Sequence, residues 1–421
     1  MEQGIFRSQL GAFARVLGRP VLRRVMPAML LSAIGDGMSV VAVAWLALRI
    51  APSDQAGVWT ALAVAAYTLP ATFGAAVLAR LVRSLAATTL VSLDATLRAV
   101  ALGTIAALAI AGALAPAVYV MLLAGSSLLH AWGNAGAYTL IAELVPDEDR
   151  VNGNALLSTF VQASYVVGPA LAGGLTAWTG PGWVIAADAA SFALLAVTCL
   201  WAQAAAIPTP PAQPSSGISS PVSTATSGSR AILSNRRLTG VLVVTCVFFF
   251  LYGPVEVALP IHIAKEIHGS AALLGTFWAT FGIGAIVGGL GAGLLRHRPL
   301  WKIVAAIIIG WGGALLPLGL TDSVLPGLIG FAVGGLIYGP FNAICTELFQ
   351  RSSPPHLLSR VLATRTALTS PSTALGTLFG GPIVGAIGGR HTLLASALLT
   401  IALGVVVAAV PLRTRRSLPR D

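Results

Sequence analysis

Four acidic side chains interrupt otherwise apolar stretches of this sequence: Asp36, Asp94, Asp188 and Glu256. A charged side chain at the centre of a bilayer costs about 2.5–3.5 kcal/mol on insertion scales, so an acid retained there is a functional candidate. Such a carboxyl group can bind a proton on one side of a membrane and release it on the other, or it can contact a cationic ligand. The chemistry to look for is therefore proton transfer or cation binding.

Asp36 is the first of these candidates. It follows Val25, where the first apolar stretch begins, by eleven residues. This spacing places Asp36 about 16 Å along a helix, near the middle of a ~30 Å hydrocarbon layer. Gly35 and Gly37 thin the helix there and let another helix or a water cavity approach. We interpret Asp36 as a proton-coupling or substrate-binding residue. The alternative is an acid held by hydroxyl or amide groups of a neighbouring helix.

Glu256 is the second candidate for substrate or proton handling. It follows Leu238 by eighteen residues, about 27 Å along the seventh apolar stretch and therefore in its outer part. Gly253 and Pro254 come just before it and predict a kink or break in the helix. A structural acid in the outer part of a cavity is the alternative.

The two remaining acids are interpreted differently. Asp94 and Arg98 are spaced i, i+4 and share a helix face, which predicts a neutralising ion pair. A gate element is the alternative for this pair. Asp188 lies six residues into the sixth stretch, near the outer surface, and is interpreted as structural. Several other polar residues are candidates to line a cavity: Tyr67, Asn134, Gln162, Tyr165 and Tyr252. His130 could titrate near neutral pH, but a lone histidine in a membrane helix is more often a hydrogen-bonded packing residue.

The composition shows which class of protein must position these residues. Of 421 residues, 56% are hydrophobic and only 9% are charged, against about 25% charged in soluble chains. This excludes a disordered chain, a collagen and an ordinary cytosolic enzyme. The net charge of +11 is spread in short clusters between apolar runs, which does not predict nucleic-acid binding. The three cysteines show no paired spacing, so neither a disulfide framework nor a metal site is expected.

Twelve apolar stretches are long enough to span a bilayer. They lack the alternation of strands, so the sequence predicts an all-α polytopic membrane protein with twelve transmembrane helices. The predicted spans are residues 25–48, 57–79, 86–110, 116–137, 157–178, 182–205, 238–262, 271–295, 300–320, 325–347, 362–388 and 392–411.

The distribution of Lys and Arg predicts the orientation. With both termini inside, 20 of the 25 basic residues fall in cytoplasmic pieces and 3 fall outside. Cytoplasmic loops carry the excess of basic residues. We therefore expect a multi-pass protein of the bacterial inner membrane with both termini in the cytoplasm.

A polar segment divides the chain. Pro, Ser, Thr and Gly occupy 17 of the 23 positions in residues 207–229, a composition typical of a flexible linker. The predicted domains are a basic amphipathic segment at 1–24, a six-helix bundle at 25–205, the cytoplasmic linker at 206–237, a second six-helix bundle at 238–411 and a basic tail at 412–421.

The two bundles show signs of an internal repeat. Gly74-Ala75-x-x-Leu78 follows the second span, and Gly291-Ala292-x-x-Leu295 follows the eighth. Six plus six spans in parallel repeats is the layout of a two-bundle secondary transporter, with its site in the central cavity between the bundles.

Several segments resemble the major facilitator superfamily, and within it the branch of macrolide-efflux and siderophore-exporter-like proteins. These segments include Gly35-Asp36-Gly37 and Glu143-Leu144-Val145-Pro146. The run that contains Gly168, Pro169 and Gly173 resembles the antiporter motif of span five, and with Gly74 we interpret it as a structural packing motif.

One motif departs from this resemblance. The family usually has an acid in the loop between spans two and three, whereas Ala79 stands here and Arg80 and Arg83 remain. Arg80, Arg83, Asp94 and Arg98 are the candidate gate or charge-pair residues.

The resemblance implies a secondary active transporter, namely a proton-coupled exporter of a drug, macrolide, siderophore or natural product. An importer, an uncoupled facilitator, a transporter-derived receptor and an intramembrane enzyme are the alternatives. An enzyme is not expected, since no His-Glu-x-x-His and no phosphate-binding Gly-x-x-x-x-Gly-Lys motif is present. The expected partners are a small-molecule substrate, protons and the lipid bilayer. No cofactor, metal or nucleic acid is expected, and the chain is expected to be a monomer.

Overall fold

The computed structural model describes residues 16–78, 85–205, 232–295, 298–353 and 357–409. Every regular element within these ranges is helical. A π-helical turn at His262–Glu266 extends the helix before it, and a 3-10 turn lies at Gly291–Leu295. The α-helices, numbered in chain order, are α1 (Leu22–Ile50), α2 (Ala56–Val77), α3 (Ala87–Ile110), α4 (Pro116–Ser127), α5 (His130–Leu144), α6 (Asp147–Thr179), α7 (Pro181–Ala205), α8 (Arg236–Ile261), α9 (Ala271–Leu290), α10 (Leu300–Leu320), α11 (Val324–Tyr338), α12 (Phe341–Ser352) and α13 (Leu358–Ala409).

Ten helical segments of the described chain are long and apolar enough to cross a membrane. The predicted all-α polytopic fold is therefore confirmed. The number twelve further requires that α4 and α5 together make one crossing and that α13 makes two. A backbone φ of +83° at Gly388 interrupts α13 and separates its two arms. The count of twelve stays a prediction.

The fourth and tenth spans are each broken at a corresponding place. Between α4 and α5, the hydroxyl groups of Ser126 and Ser127 donate to the carbonyl of Leu123 at 2.7 and 3.1 Å. Such bonds compete with the helix ladder and bend helices. Between α11 and α12 stand Gly339 and Pro340, and proline cannot donate to the ladder. The shared break supports the internal repeat.

Some predictions fall outside the described residues. Arg80, Arg83 and Ala79 lie there, as do residues 1–15, 206–231 and 410–421. The amphipathic start, the linker, the tail and the division into domains therefore stay predictions.

Glycines set the helix crossings within each half. A Cβ atom on Gly168 of α6 would overlap the backbone of Gly37 in α1. In the second half, a Cβ atom on Gly253 of α8 would lie 2.5 Å from backbone atoms of Thr373 and Gly376 in α13. Helix backbones approach this closely only where small residues meet. The two crossings are equivalent, so Gly37 and Gly253 occupy corresponding places in the repeat.

The crossing at Gly74 has a different counterpart from the one predicted. A Cβ atom on Gly74 would overlap the carbonyl oxygen of Leu128, and one on Gly288 would overlap that of Leu336. Gly291, which the repeat pattern paired with Gly74, has open space around it. The predicted match of Gly74 with Gly291 is therefore wrong by about one helical turn. The position that corresponds to Gly74 is Gly288, where the close contact leaves no room for a side chain.

We expect Gly168→Ala to lower the stability of the protein by about 1–3 kcal/mol, the cost of forcing extra atoms into a packed contact. Gly174→Ala, on the same helix, is the matched control, because a Cβ atom there meets nothing within 4 Å. Thermal unfolding of the two purified variants in detergent measures the difference. Equal melting temperatures would show that the Gly37 crossing tolerates a methyl group.

The two halves of the molecule meet closely at one end, which we call the closed end. A Cβ atom on Gly173 of α6 would lie 3.1 Å from the Cα atom of Ala272 in α9, and one on Gly57 of α2 would lie 2.6 Å from the carbonyl of Gly381 in α13. In the connecting loops, the Lys265 ammonium donates to the carbonyl of Ser53 at 2.7 Å. These contacts join the first half to the second.

At the other ends of α2 and α9, apolar side chains are left uncovered. Val77 is 77% exposed and Leu290 is 82% exposed. We call this the open end. The Lys and Arg distribution predicts that the open end faces the cytoplasm, since the closed-end loops belong to the pieces with few basic residues.

Candidate functional site

Asp36 lies at the centre of a polar group inside the first half. Its Oδ1 atom accepts a hydrogen bond from the Tyr67 hydroxyl of α2 at 2.5 Å and forms an ion pair with Arg98 of α3. Arg98 is buried to 1% exposure, whereas the Asp36 side chain is 27% exposed. A buried guanidinium therefore meets an acid that still has access to water.

The ion pair predicted between Asp94 and Arg98 is not formed. Arg98 contacts Asp36 instead, and the Oδ1 atom of Asp94 is buried without a hydrogen-bond partner among the described residues. The i, i+4 spacing of Asp94 and Arg98 means that the two side chains can reach each other, but it does not mean that they pair. Asp36 is on another helix, and the Tyr67 hydroxyl donates a hydrogen bond to the same carboxylate oxygen that Arg98 contacts. Arg98 therefore pairs with Asp36.

Aromatic rings enclose the guanidinium of Arg98. Its central carbon lies 4.7 Å from the ring centroid of Phe192 in α7 and 5.2 Å from that of Tyr67. Cations are attracted to ring faces, and more strongly where water is excluded. These contacts stabilise the buried charge and fix where Arg98 points.

Asp188, which the sequence analysis interpreted as structural, contacts the helix that carries Asp36. It is fully buried in α7, and its Oδ2 atom accepts a hydrogen bond from Ser39 of α1 at 2.5 Å. A Cβ atom on Gly35 would overlap Asp188, so glycine at this position lets the carboxylate reach α1. Gly35 is the feature of the sequence that relates to this contact, although the sequence analysis connects Gly35 only with Asp36.

Asp36, Asp188 and Arg98 form one electrostatic group. Each carboxylate interacts electrostatically with the guanidinium and with the other carboxylate. With both acids ionised, the group holds two negative charges and one positive charge. Burying that excess charge is costly, and one added proton makes the group neutral. The arrangement can therefore bind a proton.

His130 connects this group to Asp94. Its Nδ1 atom lies 3.7 Å from the Asp94 Oδ2 atom, and the imidazole also interacts electrostatically with Asp36. A Cβ atom on Gly133 would overlap the Asp94 carboxylate, which shows how closely α3 packs on α5. Asp94 thus interacts electrostatically with Arg98 as well, although it forms no ion pair with the guanidinium.

Glu256 occupies a different setting in the second half. Its Oε2 atom accepts a hydrogen bond from the Thr377 hydroxyl of α13 at 3.0 Å. No Lys, Arg or His of the described residues lies within ion-pair distance of it. Glu256 follows Gly253 by three residues, whereas Asp36 precedes Gly37 by one. Glu256 is therefore about one helical turn nearer the closed end than Asp36 is.

Tyr165 stands between the two acids. This residue of α6 is 55% exposed, and its hydroxyl interacts electrostatically with both Asp36 and Glu256. Tyr165 is therefore an exposed side chain near both acids, where α6 of the first half packs on α9 of the second half. Among the described residues, no group of three or more His, Cys, Asp and Glu side chains is arranged to hold a metal ion.

Two repeated helical halves that meet at one end are the layout of a secondary transporter, whose binding site lies between the halves. The profile of the Major Facilitator Superfamily matches residues 25–377 and 241–420, so the chain belongs to this family. The family predicted from the sequence is thereby confirmed. The protein is a multi-pass membrane transporter and not an enzyme.

The relatives include efflux proteins. The chain is 30% identical over 410 residues to the multidrug efflux pump Tap of Mycobacterium tuberculosis, covering 92% of each chain. It is 25% identical over 188 residues to macrolide efflux protein A of Streptococcus pyogenes, covering 42% of this chain and 45% of that protein. The crystal structure of the nucleoside transporter NupG superposes with a TM-score of 0.70 at 13% identity, covering 93% of this chain and 99% of that one.

Proposed function

We propose that the protein is a proton-coupled exporter of small organic molecules that works by alternating access. It lies in the bacterial inner membrane with both termini in the cytoplasm. The efflux relatives support the direction of transport. The observation that carries the coupling is the buried guanidinium of Arg98, which interacts with Asp36 and Asp188 together.

The proposed coupling follows from the charge of this group. The unprotonated group carries one excess negative charge, which is costly to enclose in apolar surroundings. Asp36 keeps access to the cavity, so a proton that arrives there neutralises the group and favours closure around it. Substrate release outside, proton entry from outside and proton release inside then complete the exchange.

Proteoliposomes with an imposed pH gradient test this proposal, with a radiolabelled macrolide as the probe. We expect Asp36→Asn and Asp188→Asn to reduce uphill accumulation to the level of empty vesicles, because Asn keeps the shape but does not titrate. Exchange of substrate for substrate should persist in both variants, since it needs no net proton movement. Asp322→Asn is the matched control, because Asp322 is an exposed acid in a closed-end loop.

Three results would contradict the proposal. Uphill accumulation by both variants with unchanged pH dependence would remove Asp36 and Asp188 from coupling. Accumulation in right-side-out vesicles would indicate import. Transport that only equilibrates the macrolide in the unsubstituted protein would indicate an uncoupled facilitator.

A further inference from the structure

Ten aromatic side chains form one connected group in the second half. Neighbouring rings in the group have centroids 4.7–6.3 Å apart, within or close to the distances favoured by aromatic pairs. Among the described residues, every contact between two rings lies in this half of the molecule. The members are Phe248, Phe249, Tyr252, Phe277, Trp278, Phe281, Trp311, Phe331, Tyr338 and Phe341.

The group has a buried back and a partly exposed front. Trp311 and Phe331 are almost fully buried and contact the front rings. The front consists of Tyr252 of α8, Trp278 and Phe281 of α9, and Tyr338 of α11, all partly exposed. We call these four residues the aromatic wall.

The aromatic wall faces the first half of the protein. The hydroxyl groups of Tyr252 and Tyr338 interact electrostatically with Tyr165 of α6. Trp278 lies in sequence between Gly275 and Gly282, the two residues of α9 whose backbones meet α6. The wall therefore lies near the exposed Tyr165, on the side of the second half that meets the first half.

A carboxylate without a cation stands at one edge of the wall. Glu256 follows Tyr252 by four residues on α8, so the two share a helix face. In the first half, by contrast, Arg98 neutralises Asp36. Ring faces carry negative electrostatic potential and attract cations, most strongly where water is excluded. A carboxylate on the same helix face as one ring of this wall is thus suited to a positively charged ligand with apolar bulk.

A basic residue marks the opposite edge of the wall. Arg365 of α13 donates to Thr346 at 2.7 Å and to Asn342 at 3.2 Å, and it interacts electrostatically with Tyr338. Its charge repels a cation from that edge. A bound cation is therefore directed toward Glu256, and its apolar rings toward Tyr338.

We propose that the aromatic wall and Glu256 form the binding site for an amphipathic organic cation, with its charge at Glu256 and its rings against the wall. This inference rests on the proposed function, because it assigns the exported molecule to that chemical class. It also separates two tasks: the second half binds the substrate, and the first half binds the proton.

Binding to the purified full-length protein tests the site without requiring transport. Tetraphenylphosphonium is the probe, and tetraphenylborate is its control, because it has the same shape and the opposite charge. We expect tetraphenylphosphonium to bind and tetraphenylborate to bind at least about tenfold more weakly. Glu256→Gln should weaken tetraphenylphosphonium binding by roughly 30-fold, as expected for loss of one member of a close charge pair.

Matched variants separate the wall from general effects. Trp278→Leu should weaken binding of the phosphonium severalfold, as loss of one ring face predicts. Trp178→Leu should leave it unchanged, because Trp178 is 89% exposed and lies outside the wall. Glu256→Asp keeps the charge and shows whether any loss in Glu256→Gln follows the charge or the fold, with thermal unfolding recorded for each variant.

Equal binding of the two probes, no binding of the phosphonium below about 1 mM, or full binding by a folded Glu256→Gln protein would overturn the inference. The proposed function fails in a different experiment. A protein that exports a macrolide against a gradient but does not bind the phosphonium overturns the substrate site alone. A protein that binds the phosphonium at Glu256 but moves nothing against a gradient overturns the proposed export and leaves the binding site in place.

Discussion

Replacement of Arg98 by methionine is expected to lower the free energy of unfolding by about 3–5 kcal/mol, the usual cost of removing one partner of a buried ion pair. Methionine fills a similar volume between Phe192 and Tyr67, so the loss reports charge rather than packing. Asp36 and the fully buried Asp188 would be left without the cation that both of them approach. Thermal unfolding in detergent and the yield of monodisperse protein measure the effect.

A second substitution provides the control for this prediction. Adding Asp36→Asn to Arg98→Met removes one of the two uncompensated carboxylates and should recover a large part of the lost stability. Arg351→Met should change stability little, since Arg351 is exposed and its pair with Glu347 lies on the surface. An Arg98→Met protein as stable as the unsubstituted one would show that the guanidinium does not neutralise the group.

Gly275→Leu is expected to change which end of the protein is closed. A Cβ atom on Gly275 would overlap the carbonyl oxygen of Pro169, so a leucine side chain does not fit while α6 and α9 remain packed. A substitution that disfavours one state shifts the population toward the other. We expect a cysteine at position 165 to react from the closed-end side at least about tenfold faster, which corresponds to a shift of ~1.4 kcal/mol.

The accessibility experiment uses a membrane-impermeant thiol reagent and a background in which Cys199, Cys246 and Cys345 are replaced. Gly174→Leu is the matched control, because it adds the same side chain one residue from Gly173 into open space. Unchanged reaction rates in Gly275→Leu would show that the contact between α6 and α9 does not keep this end closed.

The sequence predicted the elements of this fold better than their contacts. The lengths of the apolar stretches located the helices, because backbone N–H and C=O groups in lipid must form hydrogen bonds within the chain, and a helix provides them. Gly37 and Gly168 were predicted to be packing residues from a local property as well, since glycine has no side chain and lets a neighbouring helix approach. The partner of Asp36 was not predictable, because Arg98 lies 62 residues away and an i, i+4 acid competed for it.

The aromatic group was missed for a related reason. Its rings come from α8, α9, α10, α11 and α12. The run Phe248-Phe249-Phe250-Leu251-Tyr252 is rich in aromatic residues but lies on α8 alone, so it does not predict a cluster across helices. Only the packing of the helices brings Tyr252, Trp278, Trp311 and Tyr338 together. The contacts of Asp188 with Ser39 and Gly35 of α1 were likewise not predictable, because they come from another helix.

The unequal construction of the two halves has a consequence for how such a protein evolves. Loss of Arg98 leaves two acids without their cation, and loss of either acid removes the excess negative charge on which the proposed coupling depends. Single changes in the first half are therefore poorly tolerated. In the aromatic wall each ring touches several others, and replacing one by another apolar residue reshapes the cavity while most contacts remain. On the proposed division of tasks, single substitutions in the second half change which substrates are bound, while the first half stays fixed.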